Sequence, residues 1–233
     1  MSTIIEYAPF LLQGVGITIL VSFLGCVLAV ITAFVAGLMR LSSHRILRWP
    51  AAVFVEFFRG SSMLVQMFWL FYALPFFGIQ LQPITAAVIA LGFNEGAYAA
   101  EIVRGTILSR AKGQTEAAIA LGMRPGLRMR RILIPQSIPA MLPNFGNIFV
   151  DLLKNSSLVS LVTVSELTFR AQQARTTTGD TVEIFLTILV VYFILSWLLS
   201  LLMAWLERRF ALDRRKIPKI RPLKSILGGG AVR

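Results

Sequence analysis

Long apolar runs separated by short charged stretches govern the reading of this chain. Residues 14–39 run for 26 positions without a charged side chain, enough for a tilted membrane-spanning helix. Arg40, Arg45 and Arg48 follow at once. A second span is predicted over 51–77, with Glu56 and Arg59 in its first third. On a helix those two can pair, and a long Arg can also snorkel to the membrane surface. Gly60, Ser61 and Ser62 invite a bend or a close helix approach. An uncharged turn at 78–83 leads into a third span over 83–103, which carries Glu95 in its middle and Glu101 and Arg104 near its end. A fourth span over 139–165 is weaker, because Asn144, Asn147, Asp151, Lys154, Asn155, Ser156 and Ser157 lie within it. The fifth, over 184–206, has 23 residues and no charge. The pattern predicts an all-α integral membrane protein. Residues 1–13 form a leader and 210–233 a basic tail.

Between the third and fourth spans lies a basic island at 115–135. Thr115 is a candidate N-cap, placing Glu116 in the first turn against the positive helix end. Ala117, Ala118 and the residues up to Leu121 favour helix, and Gly122 supplies a stop because it tolerates the left-handed conformation. Pro125 pushes Arg124 out of helix and suits the first position of a second one. The expectation is helix, glycine elbow, helix. Arg124, Arg128, Arg130 and Arg131 keep the island out of lipid.

Composition sharpens this. An apolar content of 56% in 233 residues is too high for a soluble domain. The formal charge of +12 does not call for nucleic acid, because a multi-pass protein gathers Lys and Arg on its cytoplasmic side. With five spans, an outer N-terminus and a cytoplasmic C-terminus, 20 of the 23 basic residues fall on that side. Removing the fourth span would put the island or the tail on the wrong side. The first apolar run is too long for a signal-peptide core and reads as a retained span. Cys26, the one cysteine, excludes an internal disulfide and reads as a packing residue; His44, the one histidine, reads as a surface residue. The tail fits against anionic lipid.

Candidate chemistry concentrates in the fourth span. Asp151 and Lys154 can neutralise each other at i and i+3, and Asn155, Ser156, Ser157 and Ser160 continue the polar character. These groups either hydrogen-bond between helices or line a path for a small polar solute such as a zwitterion. Met63 and Gln66 of the second span either line the same path or pack. An intramembrane carboxylate such as Glu95 needs protein or a watery path around it, in a structural or a pathway role. The chain shows no nucleophile elbow, metal motif or phosphate-cradling glycine loop followed by Lys. It therefore carries no ATP site, catalytic set or cofactor of its own. Energy for transport must come from a partner or from an ion gradient, the latter making the chain an ion-coupled carrier with Glu95, Asp151 and Lys154 as relay.

The island's order is Glu116-Ala117-Ala118, three residues, Gly122, nine residues, Ile132, one residue, Ile134, Pro135. It resembles the EAA loop of permease subunits of binding-protein-dependent ABC importers, with Ile134 where Leu is more usual. Residues 59–75 (RGSSMLVQMFWLFYALP), 96–105 (GAYAAEIVRG) and 152–162 (LLKNSSLVSLV) are similar to the polar amino-acid group of these permeases. Within that group, Ser61 and Ser62 after Arg59-Gly60, where Thr-Pro is usual, resemble ectoine and hydroxyectoine permeases. The resemblance implies a type I importer fold over 14–209 in the inner membrane, with 115–135 as the loop that docks on an ABC ATPase. It implies coupling residues at Glu116, Ala117, Ala118, Gly122, Ile132 and Pro135. A second permease subunit, identical or paralogous, and a periplasmic solute-binding protein are the further partners.

Overall fold

A computed structural model describes residues 2–210, all the regular structure of which is helical. The elements are α1 (Ser2–Arg40), α2 (Arg45–Gly60), α3 (Met63–Phe68), α4 (Pro83–Leu108), α5 (Lys112–Ala120), α6 (Pro125–Arg128), α7 (Ile134–Asn155), α8 (Leu167–Thr178) and α9 (Thr181–Phe210). Wide π turns at Trp69–Ala73 and Met129–Leu133 and tight 3-10 turns at Leu74–Phe77 and Ser156–Val162 continue α3, α6 and α7. Among the described residues α1, α4 and α9 are each long and apolar enough to cross a membrane alone. Two bent pairs raise the number to as many as five: α2 with Met63–Phe77, bent by 105°, and Pro125–Val162 with α8, bent by 52°.

The structure departs from the hydropathy pattern in four places. α1 takes in residues 2–13, set apart above as a leader, because its first turns pack on α8: Tyr7 and Leu11 join Leu167, Ala171 and Ala174. The second predicted span is not one helix, since Ser61 and Ser62 are both extended and the chain turns sharply there. Glu56 and Arg59 do not pair. Glu56 receives Arg40 Nη1 at 3.3 Å, and the Arg59 guanidinium lies 5.3 Å from the centre of the Tyr98 ring. Finally, the segment after the fourth span contains α8, whose N-cap Glu166 is fully buried. The tail from residue 211 onward lies outside the described residues.

α4 is the central helix, and its buried face is built from small residues: Ala86, Ala87, Ala90, Gly92, Gly96, Ala97, Ala99 and Ala100. In lipid no hydrophobic driving force brings helices together, so close backbone approach supplies the packing. A Cβ placed on Gly96 would stand 2.6 Å from Thr32 Cβ of α1, and one on Gly92 would stand 2.7 Å from Leu28 Cβ. Cys26 packs beside this seam, as expected of it. Arg40 at the end of α1 is also paired with Glu101 of α4, which Arg104 holds from the other side at 2.8 Å. α7 carries Pro135 in its first turn and Pro139 and Pro143 further in, and packs on α4 through Met141, Phe145 and Ile148.

Candidate functional site

The basic island folds into a knuckle. α5 ends in paired bonds: the Met123 N–H donates to Ala118 O at 3.0 Å, and the Gly122 N–H donates to Ile119 O at 2.9 Å. This is the helix stop that requires a left-handed residue, and Gly122 takes φ +69°. Arg124 is extended and Pro125 opens α6. Thr115 is not the N-cap. α5 begins four residues earlier, at Lys112 after the N-cap Ala111, so Glu116 stands in its middle. The earlier start is pinned to the base of α7: Arg110 Nη1 donates to Gln136 O at 3.3 Å, and Gln136 Nε2 donates to Gln114 Oε1 at 3.4 Å. Ala118 is buried, whereas Glu116, Ala117, Ile119 and Leu121 are exposed, the last at 79%. Ile132 is half-buried and Pro135 exposed.

The polar part of the fourth predicted span lies at the change from α-helix to 3-10 turn. Lys154 Nζ is 3.7 Å from Asp151 Oδ1, and both side chains are about 60% exposed. Among the described residues they pair only with each other. The three serines mostly serve their own backbone. Ser156 donates to Leu153 O at 2.6 Å, Ser157 to Lys154 O at 2.8 Å and Ser160 to Ser157 O at 2.8 Å. Such bonds take up carbonyls released where the helix tightens. Asn155 is different: its Nδ2 donates to Glu95 Oε1 at 3.0 Å, joining residues 60 positions apart.

Gln66 and Met63 face inward. Met63 packs on the core formed by Val21, Met67, Leu91 and Leu152. Gln66 is buried, and its Nε2 donates to Phe58 O at 2.9 Å, Ser61 O at 3.2 Å and Ser61 Oγ at 2.8 Å. Asn94 Nδ2 also donates to Phe58 O, at 2.8 Å. These bonds satisfy the carbonyls freed at the break between α2 and α3, a requirement in lipid. The structure thus brings Gln66 to Asn94 and Asn155 to Glu95, and leaves Asp151 and Lys154 outside both groups.

Sequence reasoning missed a third polar centre. The Glu166 carboxylate accepts the N–H groups of Thr168 and Phe169, both at 2.8 Å, the Tyr192 hydroxyl at 2.8 Å and Thr18 Oγ1 at 3.4 Å. It ties α1, α8 and α9 together. The available signal was a lone acid directly before the start of a helical run. Among the described residues no three His, Cys, Asp or Glu side chains are grouped to hold a metal ion.

Comparison with known proteins decides the family. The model of the binding-protein-dependent transport system inner membrane component matches residues 25–212. The chain belongs to that family. It is 39% identical over 210 residues to the L-cystine transport system permease protein TcyB of Bacillus subtilis, covering 90% of this chain and 89% of the relative. It is 38% identical to the probable amino-acid ABC transporter permease protein y4tF of Sinorhizobium fredii, with 87% of each covered. To the glutamine permease GlnP of Escherichia coli it is 36% identical, covering 86% of this chain and 93% of the relative. A crystal structure of an amino acid ABC transporter with histidines superposes with a TM-score of 0.82 at 34% identity, covering 88% of this chain and 96% of that one. The permease is accordingly an inner-membrane protein with several membrane-crossing helices.

Proposed function

We propose that this permease forms half of the translocation path of an ABC importer for a polar amino acid or an amino-acid-like zwitterion. The observation that carries it is the knuckle at Gly122: a short helix stopped by a left-handed glycine and presenting Glu116, Ala117, Ile119 and Leu121, which no element among the described residues covers. A partner ATPase docks there and supplies the energy, a second permease completes the path, and a periplasmic binding protein delivers the solute. Five spans with an outer N-terminus and a cytoplasmic C-terminus put the knuckle on the ATPase side, with the bent α2–α3 and α7–α8 pairs each counted as one span. The relatives named for L-cystine and glutamine support the solute class. Ectoine and hydroxyectoine are zwitterions within it, and the Arg59-Gly60-Ser61-Ser62 wording supports testing them first. Lys154, Asn155 and the exposed side of the 3-10 turn are the proposed lining, with Gln66 and Met63 holding the wall behind.

The test is reconstitution in vesicles with the ATPase and binding protein, measuring uptake and ATP hydrolysis together. Glu116→Lys and Gly122→Val should each cut uptake tenfold or more while the permease stays in the membrane. Val at φ +69° costs about 1–2 kcal/mol of backbone strain. Normal uptake by both variants would refute the assignment of the knuckle. Uptake by the permease alone, without ATPase, would favour the ion-coupled reading with Glu95, Asp151 and Lys154.

A further inference from the structure

We infer that the hollow between the end of α1, the start of α2 and the end of α4 binds the phosphate-bearing headgroup of an anionic phospholipid. The hollow measures about 570 Å3 and is lined by Arg40, Arg45, Arg48, Trp49, Ala52 and Arg104. Its charge is not balanced from within. Arg40 and Arg104 share Glu101, and Arg40 also meets Glu56 at 3.3 Å. Arg45 and Arg48 have no acidic partner among the described residues. Four guanidinium groups therefore face two carboxylates, an excess of two positive charges. The start of α2 adds to it, because His44 at the N-cap makes no side-chain bond to the first turn.

The faces of α2 identify what brings the phosphate. Ala51 and Val55 are buried against the bundle. Ile46, Trp49, Val53 and Phe57 recur at helical spacing along another face and are exposed at 87%, 71%, 49% and 61%. Pro50 and Phe54, nearly opposite Arg48 and Ala52 around the helix, line an apolar groove of about 440 Å3 with Ile31, Val35 and Met39 of α1 and Phe93 of α4. A helix with a cationic hollow on one flank, an apolar groove on the other and an exposed Trp on its outer face suits the boundary between headgroups and hydrocarbon. A free phosphate would meet the arginines but leave the Ile46–Phe57 stripe in water. A phospholipid satisfies both, with its phosphate in the hollow and its chains along the stripe.

This inference rests on the inner-membrane setting and not on the import reading. Its test is lipid titration of the full-length purified permease in detergent, read by native mass spectrometry, with phosphatidylglycerol, phosphatidylcholine and inorganic phosphate as probes. Phosphatidylglycerol should bind at least tenfold more tightly than phosphatidylcholine. Each arginine near a membrane surface contributes about 1 kcal/mol to binding anionic lipid, roughly fivefold, so Arg45→Gln with Arg48→Gln should weaken phosphatidylglycerol binding about thirtyfold. Arg124→Gln with Arg128→Gln, outside the hollow, should leave it unchanged. Equal binding of the two lipids, or full preference in the Arg45/Arg48 variant, overturns the inference. Displacement of phosphatidylglycerol by equimolar inorganic phosphate makes this a free-anion site, and expulsion on assembly with the ATPase makes it a protein contact; either result also overturns it. The readout is lipid binding, so its failure leaves the importer reading standing, and loss of uptake leaves this one.

Discussion

Gly96→Ala tests how α1 and α4 are held together. The added Cβ would lie 2.6 Å from Thr32 Cβ and 3.1 Å from Ala29 O. Carbon contacts settle near 3.5–4.0 Å, so the surfaces must part by about 1 Å. Thr32 Cβ is bonded to the backbone, and no rotamer moves it aside. The separation spreads to Ala33, Ala97, Ala99 and Ala100, each fully buried along this seam. Overpacking of this kind costs about 1–3 kcal/mol, offset by the roughly 0.5–1 kcal/mol that alanine gains over glycine within a helix. The expected net loss lies within about 0–2.5 kcal/mol and centres near 1 kcal/mol, read as a lower unfolding midpoint of the purified permease in detergent. Gly105 is the control, because a Cβ there meets nothing within 4 Å. Gly105→Ala should show the helix gain alone. Adding Thr32→Gly to Gly96→Ala removes the opposing Cβ and should recover part of the loss. A Gly96→Ala chain as stable as the unchanged one, or additive losses in the pair, would refute steric control of this seam.

Glu166→Gln should destabilise the chain by about 1–3 kcal/mol, because an amide nitrogen cannot accept the N–H and O–H groups converging on the carboxylate; unchanged unfolding would show that the Glu166 network does not hold α1, α8 and α9 together. Asp151→Asn with Lys154→Gln should move stability by no more than about 1 kcal/mol, since the pair is well exposed, and should lower uptake affinity measured as KM. Wild-type affinity in that double variant would remove the pair from the path.

The knuckle was legible in the sequence because its controlling residues act locally. Gly122 stops a helix through its own φ, and Pro125 sets its own and its neighbour's conformation. Thr115 misled because the start of α5 is fixed by Arg110 and Gln136, a contact between chain segments that no local signal reports. The run from Asn155 to Ser160 was correctly seen as polar, but the partners of the serine hydroxyls are carbonyls three residues back. A hydroxyl's inventory states what it can bind, not what it does bind. Glu166 was legible only as an acid before a helical run: Thr18 and Tyr192 stand 148 and 26 residues away, and only the folded chain brings them to one carboxylate. At Ser61 and Ser62 the sequence pointed to a bend, but its sharpness depends on Gln66 and Asn94 taking over the freed carbonyls.

The proline spacing of α7 marks where that helix gives up ladder bonds. Pro135, Pro139 and Pro143 recur at four-residue intervals, so the missing N–H groups fall along one line of the helix. A helix yields most easily where its ladder is incomplete. Any bend in α7 is therefore expected to fall within residues 135–143. Its base adjoins the knuckle, and its tip carries Lys154 and Asn155 about 30 Å away at 1.5 Å per residue. By geometry alone, a swing of about 5° at the base would move the tip roughly 3 Å, the span of one hydrogen bond. That travel is enough to make or release the single bond between Asn155 and Glu95.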